Sequence, residues 1–580
     1  MKGDKPITQR GLRNSDLHLG GSGATSYMVL LVAYLLLYVA PLPFRPLQIP
    51  DETRYAEIAR EVVATGEWIV PRLNGLRYFE KPVFGYWVTA LSILCFGENR
   101  FAVRLPSALA TGLSAMLLVL ILRRSGYTCS ALLGAAVFLT SLQVYILGVS
   151  NLLDAVFSLF VTASLVCFYF AYQACRGRAR VVWLAMFGVA WGLGFLTKGF
   201  LAFLIPIVTI GPFLLWRKRS KDLLTLSWIP FLIAVTIILP WAIMVHLREP
   251  GYWRHFIVVE HFERFVSPEN QSLHPEPFWF LVPYLIGGAI PWTFALPAAI
   301  KGLRDAGCRD SLIQYALCWL VFPFFLLSAS EGKLGTYLLP CFAPLSVLLA
   351  IGLTKNIKKQ GSRLFKGAAW TSAAVAGLVT AFISGMRFLN FAPCPTFALG
   401  ETWKWFVGSA ALVAWSAICV ASGRAKSMAT SFRLFAAAPV ALMLCMHFIL
   451  PKEITWSRSP EAYVHRYVET IDPGDQIYST NYLAPAVCWV LKRSDIGILQ
   501  RGGELQNGLN YPDAKNRQIQ ISELAKQIND PTRTRSIIVM ITDRDYSRYQ
   551  KYLPEATRMD GADGFVFLKY AGPLENSRKL

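Results

Sequence analysis

Charged residues follow directly after the first apolar segment, where they could act on a substrate at a membrane surface. The run Pro50-Asp51-Glu52-Thr53-Arg54-Tyr55 can open a helix, with Asp51 near an N-terminus that stabilises a carboxylate. On that helix Asp51, Arg54 and Tyr55 share one face, at spacings i, i+3 and i+4. The pattern fits a capped helix with an Asp–Arg pair, and it also fits a carboxylate positioned for catalysis.

A second charged group is Arg77-Tyr78-Phe79-Glu80-Lys81-Pro82. An aromatic belt at the membrane interface explains Tyr78 and Phe79. It does not explain Glu80 and Lys81, which stand directly before a proline and an apolar stretch. These two charges are therefore candidate functional residues.

Asp154 stands inside an apolar run, four residues after Ser150. A carboxylate within a membrane segment is costly and indicates function by default. Helix capping by Asn151 or Asp154 is the competing interpretation.

Two lysines occur in very short loops on the side of the membrane that carries few bases. They are Lys198, in Leu196-Thr197-Lys198-Gly199-Phe200, and Lys333, in Ser330-Glu331-Gly332-Lys333-Leu334-Gly335-Thr336-Tyr337. One such lysine could be a snorkelling anchor. Two of them, beside glycines that let the backbone approach a ligand, favour an anion site.

The loop 247–276 holds three histidines, His255, His261 and His274. Glu260 or Glu263 beside His261 could ligate a divalent metal, although the spacing is not H-E-x-x-H. A surface helix is the competing interpretation.

Taken together, these acids and bases are predicted to lie on one external surface. Acids near a membrane-embedded anion site fit transfer chemistry on a lipid phosphate, which lysines and arginines would hold. The set comprises Asp51, Glu80, Asp154, Arg54, Lys81, Lys198 and Lys333.

The composition indicates a membrane protein. Of 580 residues, 54% are hydrophobic and 16% charged, with a mean hydropathy of +0.41. Average soluble proteins are about 25% charged, so a single soluble globule and a disordered chain are both excluded. A net charge of +21 would suggest nucleic acid in a soluble chain, but here it points to the positive-inside bias. The eleven cysteines form no CxxC pair and are expected to be buried thiols.

The elements that must position these residues are thirteen predicted transmembrane helices. The first, after a basic N-terminus, is predicted to be a retained signal anchor. The segments are 26–43, 102–122, 130–149, 153–173, 181–196, 200–216, 224–246, 277–299, 312–329, 336–353, 368–386, 403–421 and 432–451.

Loop charges then orient the chain with its N-terminus in the cytoplasm. The N-terminus and the cytoplasmic connections hold 24 Lys and Arg residues and five acids. The first external loop, 44–101, is balanced, with seven bases and seven acids. The helix that begins near Asp51 is expected to be amphipathic and to lie on the membrane surface, with Ile58, Val62 and Val63 on its apolar side.

Residues 452–580 have a different composition, with 18 bases and 16 acids. Apolar runs at 476–479, 486–491, 536–542 and 565–569 alternate with helical patterns at 460–471 and 522–528, which predicts a small α/β domain outside the cytoplasm. The expected organisation is a transmembrane domain over 1–451, with external loops 44–101 and 247–276, and a soluble domain over 452–580. No nucleotide-binding motif and no transporter-like repeat is visible.

Five motifs in order resemble one family. They are P-D-E-x-R-Y from Pro50, R-Y-F-E-K-P from Arg77, G-x-L-T-K-G from Gly194, V-E-H-x-x-R-F from Val259 and E-G-K-L-x-T-Y from Glu331. This set is similar to the lipid A 4-amino-4-deoxy-L-arabinose transferases, integral-membrane glycosyltransferases of the GT-C class that are related to protein O-mannosyltransferases. The likeness covers residues from about 26 to 450 and extends more weakly beyond.

The resemblance implies a predominantly helical GT-C membrane fold with periplasmic juxtamembrane helices. It implies an undecaprenyl phosphate sugar as donor, a lipid A phosphate as acceptor, inverting displacement, a site on the periplasmic face of the inner membrane, and resistance to polymyxin and cationic peptides. Asp51 matches the family's catalytic acid. Asp154 is a second catalytic candidate, and the expected substrate- and phosphate-binding residues are Arg54, Tyr55, Tyr78, Lys81, Lys198, Lys333 and Tyr337.

Some relatives in this class use a divalent ion, for which Glu80 and His261 are the expected ligands. A lipid A phosphate is already anionic near neutral pH, so Asp51 is not required as a general base. It could instead orient the acceptor, bind the sugar amine or stabilise the reacting carbon. Two alternatives remain at this point: a polyprenyl-phosphate-sugar transferase that acts on protein or another glycan, and a transporter of lipid-linked sugar.

Overall fold

The computed structural model describes residues 23–263, 276–306, 310–360, 363–389, 397, 399–452, 455 and 457–572. Up to Leu450 these residues form helices almost throughout. They are α1 Gly23–Tyr34, α2 Asp51–Thr65, α3 Phe84–Phe96, α4 Arg100–Arg124, α5 Thr128–Leu139, α6 Leu142–Gly148, α7 Leu153–Gln173, α8 Arg178–Lys198, α9 Leu201–Trp216, α10 Lys221–Arg248, α11 Leu281–Gly288, α12 Leu296–Ala306, α13 Ser311–Ala329, α14 Leu339–Gln360, α15 Arg363–Leu389, α16 Thr402–Arg424, α17 Met428–Ala437 and α18 Val440–Ile449. Two π-helices, Leu35–Val39 and Arg254–Glu263, continue α1 and follow α10.

The expected count of thirteen spans is not confirmed. Within the described ranges, nine helices are long and apolar enough to cross a membrane, or up to eleven if each of two bent pairs is one span. The pairs are α5 with α6, bent by 65°, and the helices flanking Pro291, bent by 93°. The predicted segments 26–43 and 200–216 coincide with shorter apolar helices, Ala24–Val39 and Leu201–Trp216. Local hydropathy therefore finds the helices but does not show where they break.

α2 lies between the first span and α3, and short-range signals define both of its ends. Asp51 and Glu52 occupy its first turn, where carboxylates are favourable. Gly66 ends it in the left-handed conformation, at φ 70°. A hairpin follows, with β1 (Arg72–Leu73) antiparallel to β2 (Leu76–Arg77) around a left-handed Asn74-Gly75 turn.

The C-terminal unit, defined here as residues 457–572, contains a six-stranded sheet in the order β5-β4-β3-β6-β8-β7. Strands β5, β4, β3 and β6 run parallel, whereas β8 is antiparallel to both β6 and β7. The strands are β3 Gln476–Thr480, β4 Gly497–Leu499, β5 Gln518–Ile519, β6 Ile537–Thr542, β7 Arg558–Ala562 and β8 Phe565–Tyr570. The helices are α19 Glu461–His465, α20 Ala484–Leu491, α21 Gln506–Leu509, α22 Ile521–Asn529 and α23 Asp543–Tyr549.

The apolar side of α2 packs against this unit, which corrects the expectation of a helix on the membrane surface. Ile58 and Val62 belong to the same buried cluster as Ile477 of β3 and Val487 of α20. Both faces of the sheet are covered, because a second cluster with α22 lies on the other side. The run 486–491 is helical, since a segment buried on all sides has no periodicity that separates strand from helix.

Candidate active site

An ion-paired group joins the first turn of α2 to the C-terminal unit. Arg54 pairs with Asp51, one helical turn before it, and with Glu504, which follows β4. The side chain of Arg54 is 10% exposed, whereas those of Asp51 and Glu504 are 42% and 37% exposed. Arg54 therefore holds two solvent-accessible carboxylates at the mouth of the site. Asp51 and Arg54 lie on the same face of α2, as their spacing predicts.

Tyr78 extends this group inward. Its hydroxyl lies 3.0 Å from an oxygen of Glu504, 3.3 Å from an oxygen of Glu80 and 3.5 Å from a nitrogen of Arg54. Burial raises the pKa of Tyr78 well above its usual value, so the hydroxyl is protonated and donates. Three predicted site residues, Arg54, Tyr78 and Glu80, thus meet around one phenol.

Tyr55 lies among the same charges. Its ring packs at 6.1 Å from that of Tyr86 and at 5.3 Å from the guanidinium of Arg54. Burial raises its pKa, Arg54 acts in the opposite direction, and the charges of Asp51, Asp154 and Glu80 raise it further. The Tyr55 hydroxyl therefore stays neutral.

Lys198 and Asp154 form an ion pair at the ends of two membrane helices. The Lys198 ammonium lies 2.7 Å from a carboxylate oxygen of Asp154, and the two side chains are 10% and 13% exposed. It also lies 4.4 Å from the ring centre of Tyr337 and 5.7 Å from that of Phe157. Asp154 lies in the first turn of α7, whose N-cap residue is Leu152, and its side chain accepts from Lys198. The pair brings three predicted residues, Asp154, Lys198 and Tyr337, together.

Lys81 forms a further cationic position. Its ammonium donates to the carbonyl of Glu80 at 2.9 Å and lies 3.4 Å from a carboxylate oxygen of Glu260. Glu260 belongs to the segment between α10 and α11, so this pair joins that segment to the one that precedes α3. The cation is only partly buried and can still approach an anion.

The two remaining predicted residues are Lys333 and His261. The Lys333 ammonium is buried and donates to the carbonyl of Glu276 at 2.6 Å. No described contact joins it to the Asp51 group, defined here as Asp51, Arg54, Tyr78 and Glu504. The side chain of His261 lies outside the described residues. Among the side chains that are described, no group of three or more His, Cys, Asp and Glu could hold a metal. Glu80 accepts from Tyr78 at 3.3 Å, and its role as a metal ligand with His261 stays a prediction.

Glu52 is a key residue that sequence reasoning passed over. Its carboxylate is paired with Arg104 of α4 at 2.8 Å and with Arg45 at 3.0 Å, and it accepts from the backbone of Asn151 at 3.0 Å and of Gln48 at 3.0 Å. Burial alone would raise its pKa, but Arg104 and Arg45 lower it to about 2. The signal in the sequence was an arginine inside an apolar segment, which requires a buried partner.

Glu504 is the second residue that the sequence did not reveal. It lies in a polar stretch between β4 and α21, with no motif around it, and 450 residues separate it from Arg54. Its placement depends on the tertiary fold, because the segment that follows β4 contacts the first turn of α2 through the pair of Glu504 with Arg54. Only the tertiary contact identifies it.

The arrangement offers two exposed carboxylates, Asp51 and Glu504, and two more deeply buried cations, Lys81 and Lys198. Such a site can hold an anionic leaving group while a carboxylate faces a developing positive charge. That chemistry is displacement at a carbon bearing a phosphate leaving group.

Comparison with known proteins adds two family matches. The pattern described as dolichyl-phosphate-mannose-protein mannosyltransferase matches residues 24–256. The pattern described as arabinosyl transferase ArnT, C-terminal domain, matches residues 455–569.

Full-length relatives agree with these matches. The undecaprenyl phosphate-alpha-4-amino-4-deoxy-L-arabinose arabinosyl transferase of Erwinia tasmaniensis is 37% identical over 522 residues, 89% of this chain and 93% of the relative. The enzyme of the same name from Aeromonas salmonicida is 36% identical over 545 residues, 93% of this chain and 98% of the relative. The crystal structure of ArnT from Cupriavidus metallidurans bound to undecaprenyl phosphate has a TM-score of 0.79 at 20% identity, over 95% of this chain and 99% of that one, and shares the fold.

Proposed function

The chain belongs to the undecaprenyl phosphate-4-amino-4-deoxy-L-arabinose arabinosyl transferase family, and from that premise we propose its acceptor, its orientation and the roles of its site residues. The protein is a multi-pass membrane glycosyltransferase that transfers aminoarabinose from undecaprenyl phosphate. The proposed acceptor is a phosphate of lipid A at the periplasmic face of the inner membrane. The added amine lowers the negative charge of lipid A and gives resistance to polymyxin and cationic peptides.

The proposed orientation rests on the loop charges. The N-terminus and the connections on its side hold 24 Lys and Arg residues, which the positive-inside rule assigns to the cytoplasm. The Asp51 group is at the opposite end of the first apolar helix and thus belongs to the periplasm. The chain is proposed to divide into a transmembrane domain, 1–451, and a periplasmic domain, 452–580.

The observation that carries the mechanism is that Asp51 pairs with Arg54, whereas two partly buried cations, Lys198 and Lys81, pair with other carboxylates, those of Asp154 and Glu260. Lys198 and Lys81 are proposed to hold the phosphate of the donor, as ammonium groups do for phosphate oxygens. An oxygen of the acceptor phosphate attacks the anomeric carbon from the opposite face. The bond from that carbon to the donor phosphate oxygen breaks, and the electron pair leaves with undecaprenyl phosphate.

This balance requires no proton transfer, because both the attacking and the leaving groups are phosphate oxygens. Asp51 is therefore proposed to face the positive charge that develops on the sugar ring, as in other glycosyl displacements. Glu504, which also pairs with Arg54, is proposed to accept from the ammonium of the aminoarabinose. The hydroxyls of Tyr55, Tyr78 and Tyr337 are proposed to orient the sugar and its phosphate.

The test is mass spectrometry of lipid A from a lipid A-producing host that makes the donor but lacks its own transferase. Expression of this chain is expected to add one aminoarabinose mass to lipid A and to raise survival in polymyxin. Unmodified lipid A, with donor present and the protein in the membrane, would refute the proposed acceptor. In that case sugar on a membrane protein or another glycan would identify a related transferase, as the mannosyltransferase match over residues 24–256 would allow.

A further inference from the structure

Asn151 is a buried asparagine between α6 and α7, in an apolar part of the chain. Leu152 is the N-cap residue of α7, so Asn151 lies outside that helix. Its side-chain amide donates to the backbone carbonyl of Glu52 at 3.0 Å, and its backbone amide donates to the carboxylate of Glu52 at 3.0 Å. Asn151 therefore holds both the main chain and the side chain of the residue that follows Asp51.

The residues that follow Asn151 are fixed by contacts with α3 and α8. Leu153 packs on Gly85 in the first turn of α3, where an added Cβ would collide with the leucine side chain. Asp154 pairs with Lys198, the last residue of α8, at 2.7 Å. Residues 151–154 are called the connector here, because they join the first turn of α2 to Lys198.

The connector is too short to let its two ends move apart freely. Three residue steps separate Asn151 from Asp154, so their Cα atoms lie within about 11 Å of each other. Both residues are buried, and each is bonded through its side chain. A displacement of the first turn of α2 relative to Lys198 therefore strains or breaks a contact of the connector.

The bond from the Asn151 amide differs in kind from the two ion pairs of Glu52. Arg104 and Arg45 bind the carboxylate, which is at the end of a rotatable side chain. The amide binds the main-chain carbonyl, one residue from Asp51. A bond to the main chain restrains the peptide itself, so it determines where the first turn of α2 lies, and Asp51 with it.

The proposed reaction needs such a restraint. Asp51 is assigned to the charge that develops on the sugar ring, and Lys198 to the phosphate that leaves the same carbon. Both groups act on one bond, and a displacement of about 1 Å can lower a rate by on the order of a hundredfold. The distance between these two side chains is therefore a catalytic quantity.

We propose that Asn151 is a positioning residue of the transfer reaction, which ties the first turn of α2 to the connector and thereby sets the distance between Asp51 and Lys198. This inference rests on the proposed function, since that function assigns Asp51 to the sugar ring and Lys198 to the donor phosphate. Asn151 acts through Asp51 and does not itself contact the substrate.

Asn151→Ala removes the amide donor but keeps the backbone bond from position 151 to the Glu52 carboxylate. The kcat is expected to fall about tenfold or more, because Asp51 acts on a charge that exists only in the transition state. The KM for the donor is expected to stay unchanged, because Lys198 keeps its pair with Asp154 and binds the phosphate already in the ground state.

The experiment uses the full-length protein in vesicles, with undecaprenyl phosphate-aminoarabinose as donor and lipid A as acceptor. Initial rates are measured for the wild type, Asn151→Ala, Asp51→Asn and the double variant. If Asn151 acts through Asp51, Asn151→Ala lowers kcat by less than about twofold once Asp51 has been replaced. A merely structural role would lower kcat by the same factor with and without the Asp51 carboxylate.

Ser431→Ala is the matched control, because it removes a buried side-chain bond to a main-chain carbonyl between two other helices. The Ser431 hydroxyl of α17 donates to the carbonyl of Ser422 in α16 at 2.7 Å. Thermal unfolding is expected to show a loss of stability similar to that of Asn151→Ala. The kcat and the KM for the donor are expected to equal those of the wild type.

Three outcomes would overturn the positioning role. They are an unchanged kcat in Asn151→Ala, an equal loss of kcat in both Asp51 backgrounds, and a rise of the donor KM as large as the fall of kcat. Failure of the proposed function is distinguishable, because the wild-type protein would then transfer no sugar to lipid A in the same vesicles.

Discussion

At the scale of single residues, the site consists of charges that restrain one another. Arg54 holds Asp51 and Glu504, Asp154 holds Lys198, and Glu260 contacts Lys81. A partly buried charge is costly unless it is paired, and these pairs retain charges of both signs. A substrate with an anionic phosphate and a cationic amine can use both signs.

The first prediction concerns the carboxylate at the mouth. Asp51→Asn keeps the size and the hydrogen bond to Arg54 but removes the charge that faces the sugar ring. Transfer to lipid A is expected to fall by about a hundredfold or more, with unchanged expression. Initial transfer rates in vesicles measure this, and Glu67→Gln, which alters an acid of the same loop that pairs with Arg248, is the control. A near-normal rate or near-normal polymyxin resistance would remove Asp51 from the catalytic residues.

A second residue-scale prediction concerns the donor phosphate. Lys198→Met is expected to raise the KM for the donor about tenfold or more, because an ammonium that binds phosphate is lost. This substitution also leaves Asp154 unpaired, so Lys198→Met with Asp154→Asn is compared with it. If the double variant restores donor affinity, the lysine only neutralises Asp154 and does not bind the donor.

At the scale of elements, α2 is fixed before any substrate arrives. Its second residue, Glu52, is bound by Arg104 of α4, which is fully buried, and by Arg45. Arg104 also donates to the carbonyls of Leu42, Arg45 and Pro46. The first turn of α2 is thereby attached to the membrane helix α4 through buried side chains.

The prediction at this scale concerns stability. Glu52→Gln removes the anion shared by two buried guanidiniums and is expected to lower the free energy of unfolding by about 3–5 kcal/mol. Because the folded pKa is lowered from 4.5 to about 2, the stabilisation is complete above pH 4.5 and is lost as the pH falls towards 2. Thermal unfolding in detergent at pH 7 and pH 3 measures both effects.

The variant should show a smaller loss of stability between pH 7 and pH 3 than the wild type does. Glu98→Gln is the matched control. The ion pair between Glu98 and Lys492 is partly exposed and contributes below about 1 kcal/mol to the free energy of unfolding. A Glu52 variant as stable as this control would contradict the anchoring role.

At the scale of the whole molecule, the C-terminal unit forms one wall of the site. It supplies Glu504, and the hairpin Asn74 is buried in it, where its side chain exchanges hydrogen bonds with Ile496 at 2.7 and 2.9 Å. Arg77 continues the contact with an ion pair to Asp513 at 2.6 Å. The external loop and the C-terminal unit thus behave as one assembly around α2.

The prediction at this scale tests that docking. A Cβ on Gly508 of α21 would lie 2.5 Å from the carbonyl oxygen of Arg77, so Gly508→Ala must shift the hairpin or the helix. Transfer is expected to fall about tenfold or more, because small displacements of site residues are costly. Gly474→Ala is the control, with nothing within 4 Å of its Cβ. Equal rates for the two variants would show that the docking does not position the site.

Local patterns in the chain allowed much of this to be predicted. The helices, the α/β character of the C-terminal unit and the pairing of Asp51 with Arg54 follow from hydropathy and from spacings within one turn. The bend at Pro291 and the helical state of 486–491 could not be predicted in this way, because both depend on the residues that pack around the segment.

The sequence by itself determined that this is a membrane enzyme with a charged external surface, because apolar length, loop charge and motif order are local properties. Only the tertiary structure decided which charges meet. It joined Lys198 to Asp154, brought Glu504 to Arg54, set Lys333 apart and turned the apolar side of α2 towards the C-terminal unit. These contacts join residues separated by up to hundreds of positions, and helix packing, which no local pattern encodes, determines them.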